Sequence, residues 1–162
     1  MRRRWELMTS DEIRDTVAPG MDLALFPVGA AEQHGPHLAT STDTMSPQEI
    51  VWRVSDATGA VVLPALPYGL SLCHTTHWPG TLSLHPPTMS QVIVEIGRWV
   101  VASGFKRLIF LSGNGPNAPP LENARRALAD DGKALVELLV DELSKIVASA
   151  LVEQWPAPPG PS

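Results

Sequence analysis

Two spacings of apolar residues alternate along the chain. Short uninterrupted runs occur in "MDLALFPVG" (21–29), "AVVLPALPYG" (60–69) and the first half of "KRLIFLSGNGPN" (106–117). Runs of this length, bounded by glycine and proline, mark strands buried on both faces. Between them lie stretches with helical spacing. "TSDEIRDTV" (9–17) is capped by Thr9 or Ser10, with acids in its first turn. "SPQEIVWRVSDAT" (46–58) opens with Ser46 and Pro47 as N-cap and first helical residue, "MSQVIVEIGRWVVASG" (89–104) stops at Gly104, and "APPLENARRALADDG" (118–132) follows the third run. Strand and helix alternate three times, which predicts a mainly parallel sheet covered on both faces. Ligands gather at the carboxyl ends of such strands. The polar loops beginning near Gly29, Gly69 and Gly113 all leave carboxyl ends and should share one rim.

The segment 133–155 reads two ways. Leu135, Leu139, Leu143, Ile146 and Ala150 fall at helical spacing, and Val136, Val140, Val147 and Leu151 widen the stripe, which favours a helix. The alternative is a fourth strand over "ALVELLV". An apolar stripe of this size is expected to fold back on the core or to pack against another subunit. "PAPPGPS" (156–162) should be a disordered tail, leaving residues 1–155 as one domain.

Composition narrows the function classes. With 44% hydrophobic and 18% charged residues, the chain has the make-up of a soluble globular domain. A net charge of −5 without a basic stripe argues against nucleic acid as a partner. No segment approaches the roughly 18 to 20 apolar residues needed to span a bilayer. "RRR" at 2–4 is followed by Trp5, Glu6, Asp11 and Glu12 rather than the apolar stretch of a signal peptide. One cysteine, Cys73, excludes an internal disulfide and fits a reducing cytoplasm. Cys73 reads as a small buried residue before it reads as a thiol nucleophile, and His77 and His85 read as surface or packing residues.

The candidate chemistry begins in "GAAEQHGPHLATSTDTM" (29–45), which gathers Glu32, His34, His37 and Asp43 directly after a strand. Glu32, His34 and Asp43 are ligand types for Zn²⁺ or Mn²⁺. In an extended segment the i, i+2 spacing would aim Glu32 and His34 to one side, and the Gly35-Pro36 turn would return Asp43 toward them. A solvated loop with a capping Asp and a buried His accounts for the same residues.

"PVGAAEQHGPHLATSTDT", "LPYGLSLCHTTHWPGTLSL" and "GFKRLIFLSGNGPNAPPL" resemble, in order, three motifs of the creatininase (creatinine amidohydrolase) family. The first is P-x-G-S-x-E-Q-H-G-P-H-L-P followed by T-D. The second is a Tyr-Gly-x-Ser stretch with a His and then Phe-Pro-Gly-Thr, and the third is an apolar strand entering Asn-Gly-His-Gly-Gly-Asn. The resemblance covers about residues 5–132. It implies a three-layer α/β/α sandwich, here lacking the usual C-terminal part, and a divalent metal that activates water against an amide-type C–N bond. It carries Glu32 and His34 over as metal ligands and Asp43 as a bridging carboxylate.

Under that resemblance His74 matches the pocket histidine and, with His37, is the candidate catalytic imidazole; a hydrogen-bonding role behind the ligands is the other reading of His37. Trp78 would cover the pocket mouth or pack in the core. Gly115 and Asn117 would face substrate, or serve a turn and a helix cap. Three departures stand out: Asn114 occupies the metal-binding histidine's place, Ser112 and Pro116 reshape the same loop, and the family's His-Ala-Gly-Glu stretch has no counterpart in these residues. The donors that remain suit one ion rather than two, zinc before manganese, unless Asn114, His37 or another chain contributes. The expectation is a cytoplasmic, homo-oligomeric hydrolase of a small amide: a cyclic amide, a formamide or a small peptide. The alternatives are a catalytically impaired binding or scaffold subunit, and a site completed by another chain.

Overall fold

The computed structural model describes residues 3–75, 78–132 and 135–139. A capping box opens the first helix, α1 (Ser10–Val17): the Thr9 hydroxyl accepts from the Glu12 N–H, and the Glu12 carboxylate accepts from the Thr9 N–H at 2.7 Å. The chain then runs through β1 (Leu23–Val28), α2 (Thr42–Thr58), β2 (Val61–Val62), the short α3 (Leu72–Thr75), α4 (Pro86–Ala102), β3 (Arg107–Ser112), α5 (Ala118–Asp130) and β4 (Leu135–Leu139). The four strands form one parallel sheet in the order β2-β1-β3-β4.

Alternation along the strands sorts the core into two sides. Ala24, Phe26 and Val28 of β1, with Leu108 and Phe110 of β3, pack against Met89, Ile93 and Val100 of α4 and Leu121, Ala124 and Leu128 of α5. Phe26 and Phe110 are register partners, and their rings meet edge to face with centroids 6.0 Å apart. Leu25, Val62 and Leu111 point the other way, onto Val51 of α2. The expected three-layer α/β/α sandwich with a parallel sheet is present. No helix among the described residues is long and apolar enough to cross a membrane.

Several boundaries depart from the sequence pattern. α2 begins at Thr42, four residues before Ser46, so Asp43 lies in its first turn and Pro47 inside the helix. Proline's missing N–H leaves the Asp43 carbonyl without its helical donor, which is tolerable near a helix start. β2 keeps only two ladder residues: Pro64 cannot donate, although Leu63 and Leu66 still donate to Leu25 and Pro27 of β1. A short helix, α3, stands in the segment read as loop, and α4 starts at Pro86 because prolines fit its first turn. The helix expected from 133 onward is wrong over its first part. Residues 135–139 are a strand, paired with β3 from Arg107↔Leu135 to Leu111↔Leu139. The open edge of β3 supplies a ladder that outweighs helical spacing. Residues 140–155, with the rest of the stripe, and the expected tail 156–162 lie outside the described residues.

Candidate metal centre

The three polar loops meet at the carboxyl ends of β1, β2 and β3, and two glycines show how closely. A Cβ on Gly69 would overlap the Gly29 carbonyl oxygen and the Asn117 amide. A Cβ on Gly113 would overlap the Asp43 carbonyl oxygen that Pro47 leaves free, so the end of β3 can approach α2 only with glycine there.

The β1–α2 loop is held in shape by one backbone bond of its own and by the Thr81–Leu82 segment beside it. Ala31 bridges to Leu82, Glu32 N–H donates to the Thr40 carbonyl, and Gln33 N–H donates to the Thr81 hydroxyl. This closure carries the chain back so that α2 begins with Asp43 beside His34. His34 Nδ1 lies 2.9 Å from the Glu32 carbonyl oxygen. A carbonyl oxygen only accepts, so Nδ1 holds its proton and Nε2 is left facing Asp43 Oδ1 at 3.1 Å. A neutral ring would then set a lone pair against a carboxylate. A proton or a cation between the two relieves that contact.

Glu32 is gripped from two sides. Ser71, fully buried, donates to its Oε2 at 2.6 Å, and His74 Nδ1 lies 2.7 Å from its Oε1. The second contact is short but misaligned, so Nδ1 is buried without a hydrogen-bond partner among the described residues. The Trp78 ring stands edge-on to His74 with centroids 5.5 Å apart, and is half-exposed. Burial pushes the Asp43 carboxyl above its ordinary value; His34 pulls it down, Glu32 adds to the rise, and His74 lowers it slightly. The four side chains therefore share one electrostatic neighbourhood, arranged as two carboxylate–imidazole pairs. No ready-made group of three or more His, Cys, Asp or Glu ligands exists among the described residues. The donor chemistry nonetheless fits a divalent cation: two partly buried carboxylates, one imidazole with a fixed tautomer and a second whose buried Nδ1 makes no hydrogen bond among the described residues.

The other candidates are placed as follows. His37 is exposed, its ring within ordinary contact distance of a Cβ on Gly35. Asn114 is buried, and its Nδ2 donates to the Leu70 carbonyl at 3.1 Å, with the Ser71 hydroxyl and Asn117 Oδ1 each at 3.4 Å. Gly115 is exposed and opens a 3-10 turn that ends at Asn117. Asn117 is fully buried, accepting from Leu70 N–H at 2.8 Å and donating to the Gly29 carbonyl at 2.9 Å, so it fastens the three loops together. Cys73, expected to be buried, is exposed on α3, a helix too short to hide that face. Sequence reasoning passed over Ser71 as a partner of Glu32, although it is the serine of the Tyr-Gly-x-Ser motif. A 390 Å³ apolar groove between Trp5, Leu63, Leu66, Ile96 and Trp99 has no titratable side chain in its lining and offers no rival chemistry.

Comparison with known proteins identifies the family. The creatinine amidohydrolase family profile matches residues 6–157. The chain is 34% identical over 115 residues to the creatinine amidohydrolase of Pseudomonas putida, covering 68% of this chain and 44% of that protein. It is 35% identical over 117 residues to the mycofactocin precursor peptide peptidase of Mycolicibacterium smegmatis, covering 68% and 47%. Among solved structures, a mutant creatininase of Zn–Zn type superposes with a TM-score of 0.80 at 28% identity, covering 98% of this chain and 66% of that one. The chain thus spans less than half the length of the two curated relatives. Sequence and fold agree that the chain belongs to the creatininase (creatinine amidohydrolase) family.

Proposed function

We propose that the protein is a metal-dependent hydrolase of a small amide-type C–N bond. The observation that carries this reading is the convergence of Glu32, His34, Asp43 and His74 at the rim where the three family motifs meet. Glu32, His34 and Asp43 would hold the cation, zinc before manganese and one ion rather than two. When bound, such a cation acidifies a water toward pKa ~7 and polarises the attacked carbonyl. The protein's own groups do the rest. The Glu32 carbonyl fixes the His34 ring, and Ser71 fixes the Glu32 carboxylate. Two imidazoles are candidates to pass the proton to the leaving nitrogen: His37, exposed and open to substrate, and His74, in contact with Glu32. Trp78 would lie over a flat amide and Gly115 would offer backbone at the mouth, whereas Asn117 would hold the loops rather than the substrate. Creatinine and short peptides are the substrates to try first, because the two relatives are named for creatinine and for a precursor peptide.

A second reading has one observation in its favour. The third motif supplies an asparagine whose amide nitrogen is already engaged, which suits a binding subunit without catalysis, or a site completed by another chain. Metal analysis after dialysis against zinc or manganese, with hydrolysis of creatinine and a peptide panel before and after chelation, decides between them. About one ion per chain is expected, with hydrolysis lost to chelator and restored by metal. Hydrolysis that survives complete metal removal overturns the proposal. So does a chain that binds no ion.

A further inference from the structure

The family's third motif offers an imidazole where this chain has Asn114, and the structure shows both what that asparagine does instead and where an imidazole stands. Asn114 Nδ2 turns inward to the Leu70 carbonyl and the Ser71 hydroxyl. Ser71 in turn donates to Glu32 Oε2, so Asn114 acts on Glu32 at one remove, as a positioning residue. The other oxygen, Oε1, is left on the side of His74, whose Nδ1 lies 2.7 Å away, buried and without a hydrogen-bond partner among the described residues. Two hydrogen-bonding groups that close and that poorly aligned are a poor ion pair. They suit two donors aimed at a common third atom.

We propose that His74 Nδ1 is a metal ligand, which leaves His37 as the proton carrier, and that it supplies from α3 the imidazole that the third motif lacks, while Asn114 has become the support of Glu32 through Ser71. This rests on the hydrolase reading above. The arrangement also accounts for the neighbours of His74. Its carbonyl accepts from Trp78 N–H at 3.4 Å, and the Trp78 ring stands edge-on to the imidazole, so the ring is held facing Glu32 instead of turning out to solvent. The chain would then keep two carboxylates and two imidazoles, with the second imidazole moved from the end of β3 to α3.

Cadmium-113 binding followed by NMR on nitrogen-15-histidine-labelled protein tests this directly, because scalar coupling from the ion to a ring nitrogen reports ligation without any turnover. Coupling is expected to His74 Nδ1 and to His34 Nε2. His74→Ala should weaken zinc binding by at least a hundredfold in calorimetry and leave only the His34 coupling. Asn114→Ala, which loosens Glu32 without removing a ligand, should weaken binding about tenfold and keep both couplings. Circular dichroism and the urea midpoint of the metal-free variants check that each still folds; if His74→Ala does not, the wild-type coupling pattern decides alone. Cadmium bound with coupling to His34 and none to His74 overturns this inference and leaves the hydrolase reading standing. A wild-type chain that binds neither cadmium nor zinc overturns both.

Discussion

Asn117 has no exposed surface, and its two amide ends reach Leu70 and Gly29, residues 47 and 88 positions away in the sequence. Removing that side chain strands a buried N–H and a buried carbonyl, each worth roughly 1–3 kcal/mol, so Asn117→Ala should lower stability by roughly 2–5 kcal/mol in urea unfolding. Zinc affinity should fall with it, because the loop carrying Glu32 starts at Gly29. The carboxylates and imidazole of the first motif are legible in the sequence because they are close together and of ligand type. The position of His74 against Glu32 is not, nor is the Ser71 bond, made across 39 residues. Contacts of that kind depend on how two loops fold against each other, and residue spacing holds no record of it. Asn117 shows the same limit from the other side: its polar character is visible in the sequence and its complete burial is not.

Helix boundaries explain most of the remaining differences. Ser46 and Pro47 fit a helix start so well that the four residues before them read as loop, yet Thr42, Asp43, Thr44 and Met45 are already helical. The shift matters, because it carries Asp43 into a folded turn facing His34. β4 misleads for another reason: leucine and valine at 135–139 satisfy helical and strand spacing alike, and only the ladder offered by β3 decides. α5 carries its own acid sensitivity. Arg125 and Arg126, at i+3 and i+4, hydrogen-bond Glu122 and pull its carboxyl down to about 2 from 4.5. A carboxyl depressed in the folded state stabilises it above the unfolded value and loses that contribution as pH falls toward the folded one. Unfolding midpoints measured between about pH 4.5 and 2 should therefore drop less steeply for Glu122→Gln than for the parent chain. The effect should be modest, since these side chains reach solvent.

Over the whole molecule, the layer order and the shared rim follow from the alternation of strand and helix, which the apolar runs state openly. The strand order does not, because nothing local says that β2 and β3 flank β1. That order has a further consequence. β1 and β3 are each hydrogen-bonded to strands on both sides, whereas β2 and β4 are the outer members of the sheet among the described residues. Interior amides open only with the largest unfolding events. In deuterated buffer the N–H groups of Leu25, Phe26, Leu108, Ile109 and Phe110 should be the last to exchange, and that of Val62, which donates outward to the Arg3 carbonyl and so depends on the first residues staying docked, should go earlier. Early loss from β1 would mean that the sheet frays from its middle. If it does not, the acids and imidazole of the first loop are tethered to the slowest-breathing strand of the protein, and warming should free the outer strands well before it disperses them.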